Sequence, residues 1–303
     1  MTTEAEIVRL LEAHGPQTGA ELQQHTRCEV RELWTKCRKS RGLRFEVAGR
    51  RYLRLDRSIP GYARLSPSIR REFQTYTVLG LESQADAVAE RTRRMQQEFL
   101  DISRAKAELA ESAIRESLAA VADAESILQQ VCFILAGDIT YGMAHAVPRP
   151  ESSTGELVRG SDLDIVVIAD DGFAPEAKQA LDKAIYRQKY LLLVRPEHRE
   201  EIDYLIKGLA KVREQMRFDS FEFMVACKIL HEGEYLYGSH RLFDRVKALL
   251  TEHDIVGKLS EMERTAIARR ADAEATLLDP PENLADREAL TLFYTKEESE
   301  EIF

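Results

Sequence analysis

The sequence predicts an α+β protein. It divides into an N-terminal module of three helices and two strands (residues 1–57), a linker with a long helical connector (58–130), a core of mixed β-sheet with flanking helices (131–240), and a helical C-terminal segment (241–303). Three observations carry this. Two short apolar runs, residues 133–136 (FILA) and 165–168 (IVVI), have the look of buried strands. Residues 82–130 contain neither Gly nor Pro and are dominated by Ala, Glu, Arg, Gln and Leu, all good helix formers. In under sixty residues at the start, three helical periods are followed by two alternating runs around Gly49.

At 303 residues the chain can bury a sizeable core. No apolar run approaches the roughly twenty residues needed to span a bilayer, and residues 1–15 read as a polar-capped amphipathic helix, not a signal peptide. Cys28, Cys37, Cys132 and Cys227 are scattered without a C-x-x-C pair, which fits a reducing, cytoplasmic setting and argues against zinc. The net charge of −9 is uneven: residues 31–57 hold ten Lys/Arg against three Asp/Glu, a local +7, which leaves −16 elsewhere. A basic patch on an acidic protein suggests a local anionic partner.

The first helix is expected over residues 3–14, capped by Thr3, with Ile7, Leu10 and Leu11 as its stripe and Gly15-Pro16 as its stop. Thr18 opens a second, with Leu22 inward. Thr26 caps a third over about 27–40, with Val30, Leu33 and Trp34 inward and Gly42 at its end. Strands at 43–47 and 51–55, joined by Ala48-Gly49-Arg50, complete a hairpin. This segment resembles a winged helix-turn-helix. The resemblance implies that the third helix, with Arg31, Lys36, Arg38 and Lys39, enters a groove of DNA or RNA, and that the wing, with Arg44, Arg50, Arg51 and Arg54, reaches the phosphates. Such modules also serve protein contacts.

Residues 56–80 read as a linker into a short helix at 69–78. The connector then needs a partner for Met95, Phe99, Ile102, Leu109, Ile114, Leu118, Val121 and Ile127. That partner is either the core or a second copy of the chain, so a homodimer through this helix is one expectation.

Asp162 and Asp164 precede the second apolar run. Residues two apart share a face of a strand, so the carboxylates are expected side by side, where each opposes ionisation of the other. A divalent cation removes that cost, and an all-oxygen donor set suits magnesium. Upstream, the first apolar run ends in Gly137, with Gly142 close behind. A strand, a glycine turn and a helix start together offer backbone N–H groups to a phosphate.

These residues resemble the catalytic core of the DNA polymerase beta-type nucleotidyltransferase superfamily over about 125–245. Ala136-Gly137-Asp138 stands at the family's Gly-Ser position, and Ser161-Asp162-Leu163-Asp164-Ile165 at its carboxylate pair. Residues 229–238 (ILHEGEYLYG) are similar to the ending of minimal members. Two departures stand out. Asp138 replaces the serine, with Thr140 as the alternative hydroxyl, and about fourteen residues (145–158) are inserted before the carboxylates. The resemblance implies two Mg2+ ions on Asp162, Asp164 and a third carboxylate, Asp203 or its rival Asp219. It implies an NTP cradled by Gly137, Asp138, Thr140, Gly142 and Ser161, with Lys207 or Arg159 on the pyrophosphate. The implied reaction transfers a nucleoside monophosphate to a hydroxyl of a nucleic acid, protein or small molecule, with Asp162, Asp164 and Asp203 as the catalytic acids. Because Asp138 stands in for serine, an inactive regulator that binds nucleotide or nucleic acid on the same fold is the alternative. A purely structural oligomer built on the long helix is the third reading.

After Asp170-Asp171-Gly172, a helix is expected from Pro175 to about 193, a strand at 200–206, and one helix over about 208–231. Helices follow at 240–253 and 258–277, then the Pro280-Pro281 break and an acidic, solvated end.

Overall fold

The structure, a computed structural model, describes residues 3–151 and 155–295. The middle of the inserted loop and the acidic end from 296 onward lie outside the described residues. The protein is mixed α+β. Among the described residues, no helix is long and apolar enough to cross a membrane.

Helix α1 (Glu4–His14) is capped by Thr3, whose hydroxyl accepts from the Glu6 N–H at 3.3 Å, and it stops at Gly15 with φ 75°. Strand β1 (Gln17–Thr18) leads into α2 (Gly19–Thr26), which opens on a reciprocal capping box between Thr18 and Glu21. Helix α3 (Val30–Lys39) starts later than the sequence suggests. Its cap is Glu29, because the Thr26 hydroxyl is already committed to the Leu22 carbonyl. Val30, Leu33, Trp34 and Cys37 form its buried face.

Strands β2 (Leu43–Val47) and β3 (Tyr52–Leu55) exist where expected but do not pair with each other. β3 pairs with β4 (Ala63–Ser66), while β2 pairs with β5 (Thr77–Leu81). The short helix expected at 69–78 is α4 (Ile69–Arg71) followed by a wide π-turn to Tyr76, and residues 77 and 78 already belong to β5. A strand so fully buried wins the central place in the antiparallel sheet β1-β5-β2, and the nearer candidate, β3, is left to a separate ribbon.

Helix α5 (Ala85–Ala119) runs for 35 residues and breaks before α6 (Ala124–Gln130), with Asp123 left-handed at φ 57°. Then come β6 (Val131–Ala136), β7 (Pro148–Pro150), β8 (Leu157–Arg159), β9 (Leu163–Ala169), α7 (Pro175–Val194) and β10 (Ile202–Gly208). The single helix expected over 208–231 is two, α8 (Leu209–Gln215) and α9 (Phe221–Glu232). Phe218 is left-handed between them, and Ser220 caps the second. Strand β11 (Glu234–Gly238), α10 (His240–Glu252), α11 (Ile255–Leu278) and α12 (Asp286–Phe293) complete the chain; α12 was not expected.

The chain forms two compact units. One comprises the residues up to Glu98 together with those from Met262 onward; the other is Phe99–Glu261. The expected four-part division therefore differs in two places. Strand β5 and the start of α5 join the N-terminal unit, and the C-terminal segment is shared between the units.

In the first unit, α12 closes the core. Phe293 is fully buried against Trp34, with ring centroids 5.7 Å apart. Burying such a ring contributes about 2–3 kcal/mol. In the second unit, a four-stranded sheet of order β10-β9-β6-β11 carries the core. One face packs Phe133, Leu135, Leu163, Ile165 and Val167 against Ala110, Ile114 and Leu118 of α5 and against Leu181, Ile185 and Leu192 of α7. The apolar positions of α5 between 102 and 118 thus find their partner in the chain's own sheet. All four cysteines are free and buried.

Candidate functional site at one end of the mixed sheet

Strand pairing brings the expected carboxylates together. β9 and β10 are parallel, so both begin at the same end of the sheet, and Asp203 stands opposite Asp164 in register. β6 is antiparallel to β9, so it ends where β9 begins, and Ala136 faces Asp164. The Gly137 turn, Asp164 and Asp203 therefore lie side by side across three adjacent strands. Asp219, the rival, is remote from this sheet end. It sits in the turn before α9 and pairs with Arg217 at 3.4 Å.

Gly137 makes the first step of a 3-10 turn with φ 74°. A Cβ there would stand 2.1 Å from Asp164 Oδ2, so only glycine lets the turn close over that carboxylate. Asp138 follows in the turn, and its carbonyl accepts the N–H groups of Tyr141 and Met143 at 3.2 and 3.0 Å. The Thr140 hydroxyl donates to the Gly137 carbonyl at 2.9 Å. It braces the turn where the sequence reading aimed it at a phosphate. Gly142, at φ 65°, makes room for Leu100. Ser161 is also a brace: its Oγ accepts from the His145 N–H at 3.3 Å.

The inserted segment is not simply an exposed loop. β7 and β8 form an antiparallel ribbon that delivers Arg149 to the carboxylates. Its guanidinium pairs with Asp162, pairs with Glu201 at 2.9 Å, and donates from Nε to the Gly160 carbonyl at 2.9 Å. Asp162 and Asp164 therefore play different parts: Asp162 precedes the strand and is held by Arg149, whereas Asp164 lies on it, beneath the glycine turn. Gly160, at φ 60°, packs against the His145 carbonyl so closely that a Cβ would stand 1.7 Å away. Beneath this, buried Lys106 of α5 pairs with Glu200 and donates to the Arg159 carbonyl at 2.7 Å, tying α5 to the backbone that leads into β9 and β10. Arg149, Gly160, Glu201 and Lys106 are not legible as site residues in the sequence. The one available signal was an arginine between two prolines inside the insertion.

The electrostatics follow from this crowding. Burial pushes the Asp164 carboxyl up to about 7, and Asp203, Asp138 and Glu201 push the same way while Arg149 opposes them. Glu232, at the end of α9, is raised to about 9 by burial and by Asp138, with Lys247 opposing. It pairs with Lys228 at 2.6 Å and accepts from Tyr141. The site thus holds more carboxyl groups (Asp138, Asp162, Asp164, Asp203, Glu201 and Glu232) than the cations beside them, Arg149, Lys228 and Lys247. Among the described residues, no group of three His, Cys, Asp or Glu side chains is arranged to close on a metal ion. The donor set that does converge is the pair Asp164 and Asp203. It is all oxygen and mutually repelling, which fits a hard divalent cation.

Lys207 does not reach this place. It lies four residues further along β10 than Asp203, about 13 Å at strand rise. It is buried with Gln215 as its hydrogen-bond acceptor at 2.9 Å, and burial lowers it to about 8.

The basic residues expected to meet nucleic acid lie in the first unit, and several of them carry acidic partners there. Arg31 pairs with Asp286, Lys36 with Glu32, Arg44 with Glu46 at 3.0 Å, and Arg51 with Glu72 and Glu274 at 2.7 and 2.9 Å. Arg38 covers the Phe45 ring at 5.2 Å. Lys39 is exposed at the end of α3, Arg50 is exposed between β2 and β3, and Arg54 lies on β3 opposite Arg64. Asp286 of α12, Glu274 of α11 and Glu72 just after α4 take up part of the local +7 of the sequence.

In comparison with known proteins, the chain matches no family model, no curated protein and no solved structure.

Proposed function

We propose that the chain is a metal-dependent nucleotidyltransferase that moves a nucleoside monophosphate from an NTP to an acceptor hydroxyl. The observation that carries this reading is the register pairing of Asp164 with Asp203 beneath the Gly137 turn. Acyl or glycosyl transfer would call for a nucleophile–base pair or two well-separated carboxylates. Here, instead, acids crowd one sheet end beside a glycine turn, an arrangement suited to charge neutralisation and positioning.

Asp164 and Asp203 would hold the magnesium ion, with Asp162 joining them on release from Arg149. The ion, when bound, supplies neutralisation of phosphate charge. The Gly137 turn orients the triphosphate. In the transfer, the acceptor oxygen bonds to the α-phosphorus, the bond from that phosphorus to the bridging oxygen breaks, and pyrophosphate leaves. An oxygen of Asp203, exposed at the leading end of β10, takes the hydroxyl proton.

Two observations favour the second reading, a nucleotide-binding regulator without turnover. Arg149 occupies Asp162, and Asp138 stands where a serine would offer a hydroxyl. For the first unit, three helices with a β1-β5-β2 sheet support a winged-helix module whose wing is enlarged by β3, β4 and α4.

The deciding experiment offers α-labelled NTPs and magnesium to wild type and to Asp162→Ala/Asp164→Ala, with cell extract as acceptor. Label on one macromolecule with wild type alone supports the transferase. Metal-dependent NTP binding without transfer supports the regulator. No such binding overturns both.

A further inference from the structure

The outer face of α7 is built unlike an ordinary solvated helix. Leu181, Ile185, Gln188 and Leu192 face the sheet and are buried. On the opposite side, at i, i+3, i+4, i+7 and i+11, stand Lys183, Tyr186, Arg187, Tyr190 and Val194, all exposed. The two tyrosines are 65% and 58% exposed, although tyrosine usually tucks its ring away. Lys183 and Arg187, and Arg195 just beyond the helix, pair with no acid among the described residues. The acid beside them, Asp182, is taken up by the Tyr204 hydroxyl at 2.9 Å. Glu176, on the same face, is confined to the first turn.

The helix packs on the sheet face opposite the carboxylates, since Leu163 and Ile165 meet α7 and Asp164 alternates with them. α7 connects the far end of β9 to the start of β10, so it runs back along the sheet for about 30 Å. Its last turn and the segment from Arg195 to Glu201 therefore lead into β10 at the sheet end where that strand begins. Arg159, also exposed, joins that segment through its N–H to the Arg199 carbonyl at 2.9 Å.

We propose that the α7 face binds single-stranded nucleic acid. The strand's phosphates meet Lys183, Arg187 and Arg195, and its unpaired bases stack on Tyr186 and Tyr190. Exposed aromatic rings interleaved with unpaired cations are the two elements of single-strand recognition, stacking and backbone charge. A protein partner would want the face less charged, and duplex would leave the rings unused. Binding is tested without nucleotide and in the presence of chelator, so failure of binding and failure of transfer are separable.

The experiment measures anisotropy of a labelled 20-nucleotide single-stranded RNA with the full chain at two salt concentrations. Because the altered side chains are exposed, the variants are checked for wild-type melting. Lys183→Gln/Arg187→Gln is expected to weaken binding at least tenfold at low salt and to reduce the salt slope by about 1.4. Tyr186→Ala/Tyr190→Ala is expected to weaken it roughly tenfold or more with the slope unchanged. Duplex of the same sequence is expected to compete poorly. No binding at low salt, loss of binding in Lys39→Gln/Arg50→Gln but not in the α7 variants, or a tyrosine variant that binds like wild type while heparin competes fully, would each overturn the proposal.

Discussion

Asp164 and Asp203 stand opposite one another on adjacent parallel strands, and the Gly137 turn closes over the first of them. Two carboxylates so placed oppose each other's charge, and folding has to bear the cost.

That cost sets a direction for stability. The Asp164 carboxyl is raised to about 7, above its unfolded value, so the native state keeps a proton that the unfolded chain releases. Stability contributed by this group is full below about pH 4 and declines as pH rises to about 7. Asp164→Asn is expected to be about 1–3 kcal/mol more stable than wild type at pH 8 and nearly equal at pH 4, while losing manganese-dependent nucleotide binding. Urea unfolding at the two pH values checks it; a variant less stable at pH 8 would refute the strain.

Arg149 has the opposite role. Its guanidinium meets Asp162, Glu201 and the Gly160 carbonyl. Arg149→Ala is expected to cost about 2–4 kcal/mol in the absence of metal, because it leaves the acids unpaired. Added manganese should recover more melting temperature in the variant than in wild type, since the cation takes the place of the guanidinium. Equal shifts in thermal scans would show that Arg149 does not compete with metal.

Gly160 tests the shape of the backbone beneath the acids. Gly160→Ala places a methyl 1.7 Å from the His145 carbonyl oxygen at φ 60° and is expected to lose about 2–4 kcal/mol. Gly172→Ala, with nothing within 4 Å of the new methyl, should stay within about 0.5 kcal/mol of wild type. Denaturant midpoints for the pair decide; similar losses would refute the close approach.

Lys207 is buried without an acid partner among the described residues, and its pKa is lowered to about 8. The unfolded chain therefore holds more protons between about pH 8 and 10.5, so stability rises with pH across that window. Lys207→Met is expected to be about 1–2 kcal/mol more stable at pH 7 and to lose the pH dependence. A wild-type stability flat from pH 8 to 10 would contradict it.

The strands of the site were legible because buried strands must be apolar and β-branched: 133–136 and 165–168 fall inside β6 and β9. That Asp203 lies on a strand was legible for a related reason, since it stands within an alternating run. The pairing of β2 was not legible. A glycine between two runs signals a hairpin, but β5, thirty residues on, buries more and takes the position. Nor was the split between α8 and α9, where Ser220 caps a new helix inside what reads as one.

The sequence by itself determined local matters: helix caps such as Thr3 and Thr18, the apolar strands, and the acids that precede them. These depend on neighbours a few residues apart, and such neighbours are fixed by the chain. Only the tertiary structure decided which charges are used. It placed Arg149 on Asp162, set Asp286 and Glu72 against Arg31 and Arg51, and left the cations and tyrosines of α7 uncovered. The physical reason is that a charge is neutralised by what lies within a few ångströms in space, and partners up to 255 residues apart in sequence are brought there only by folding.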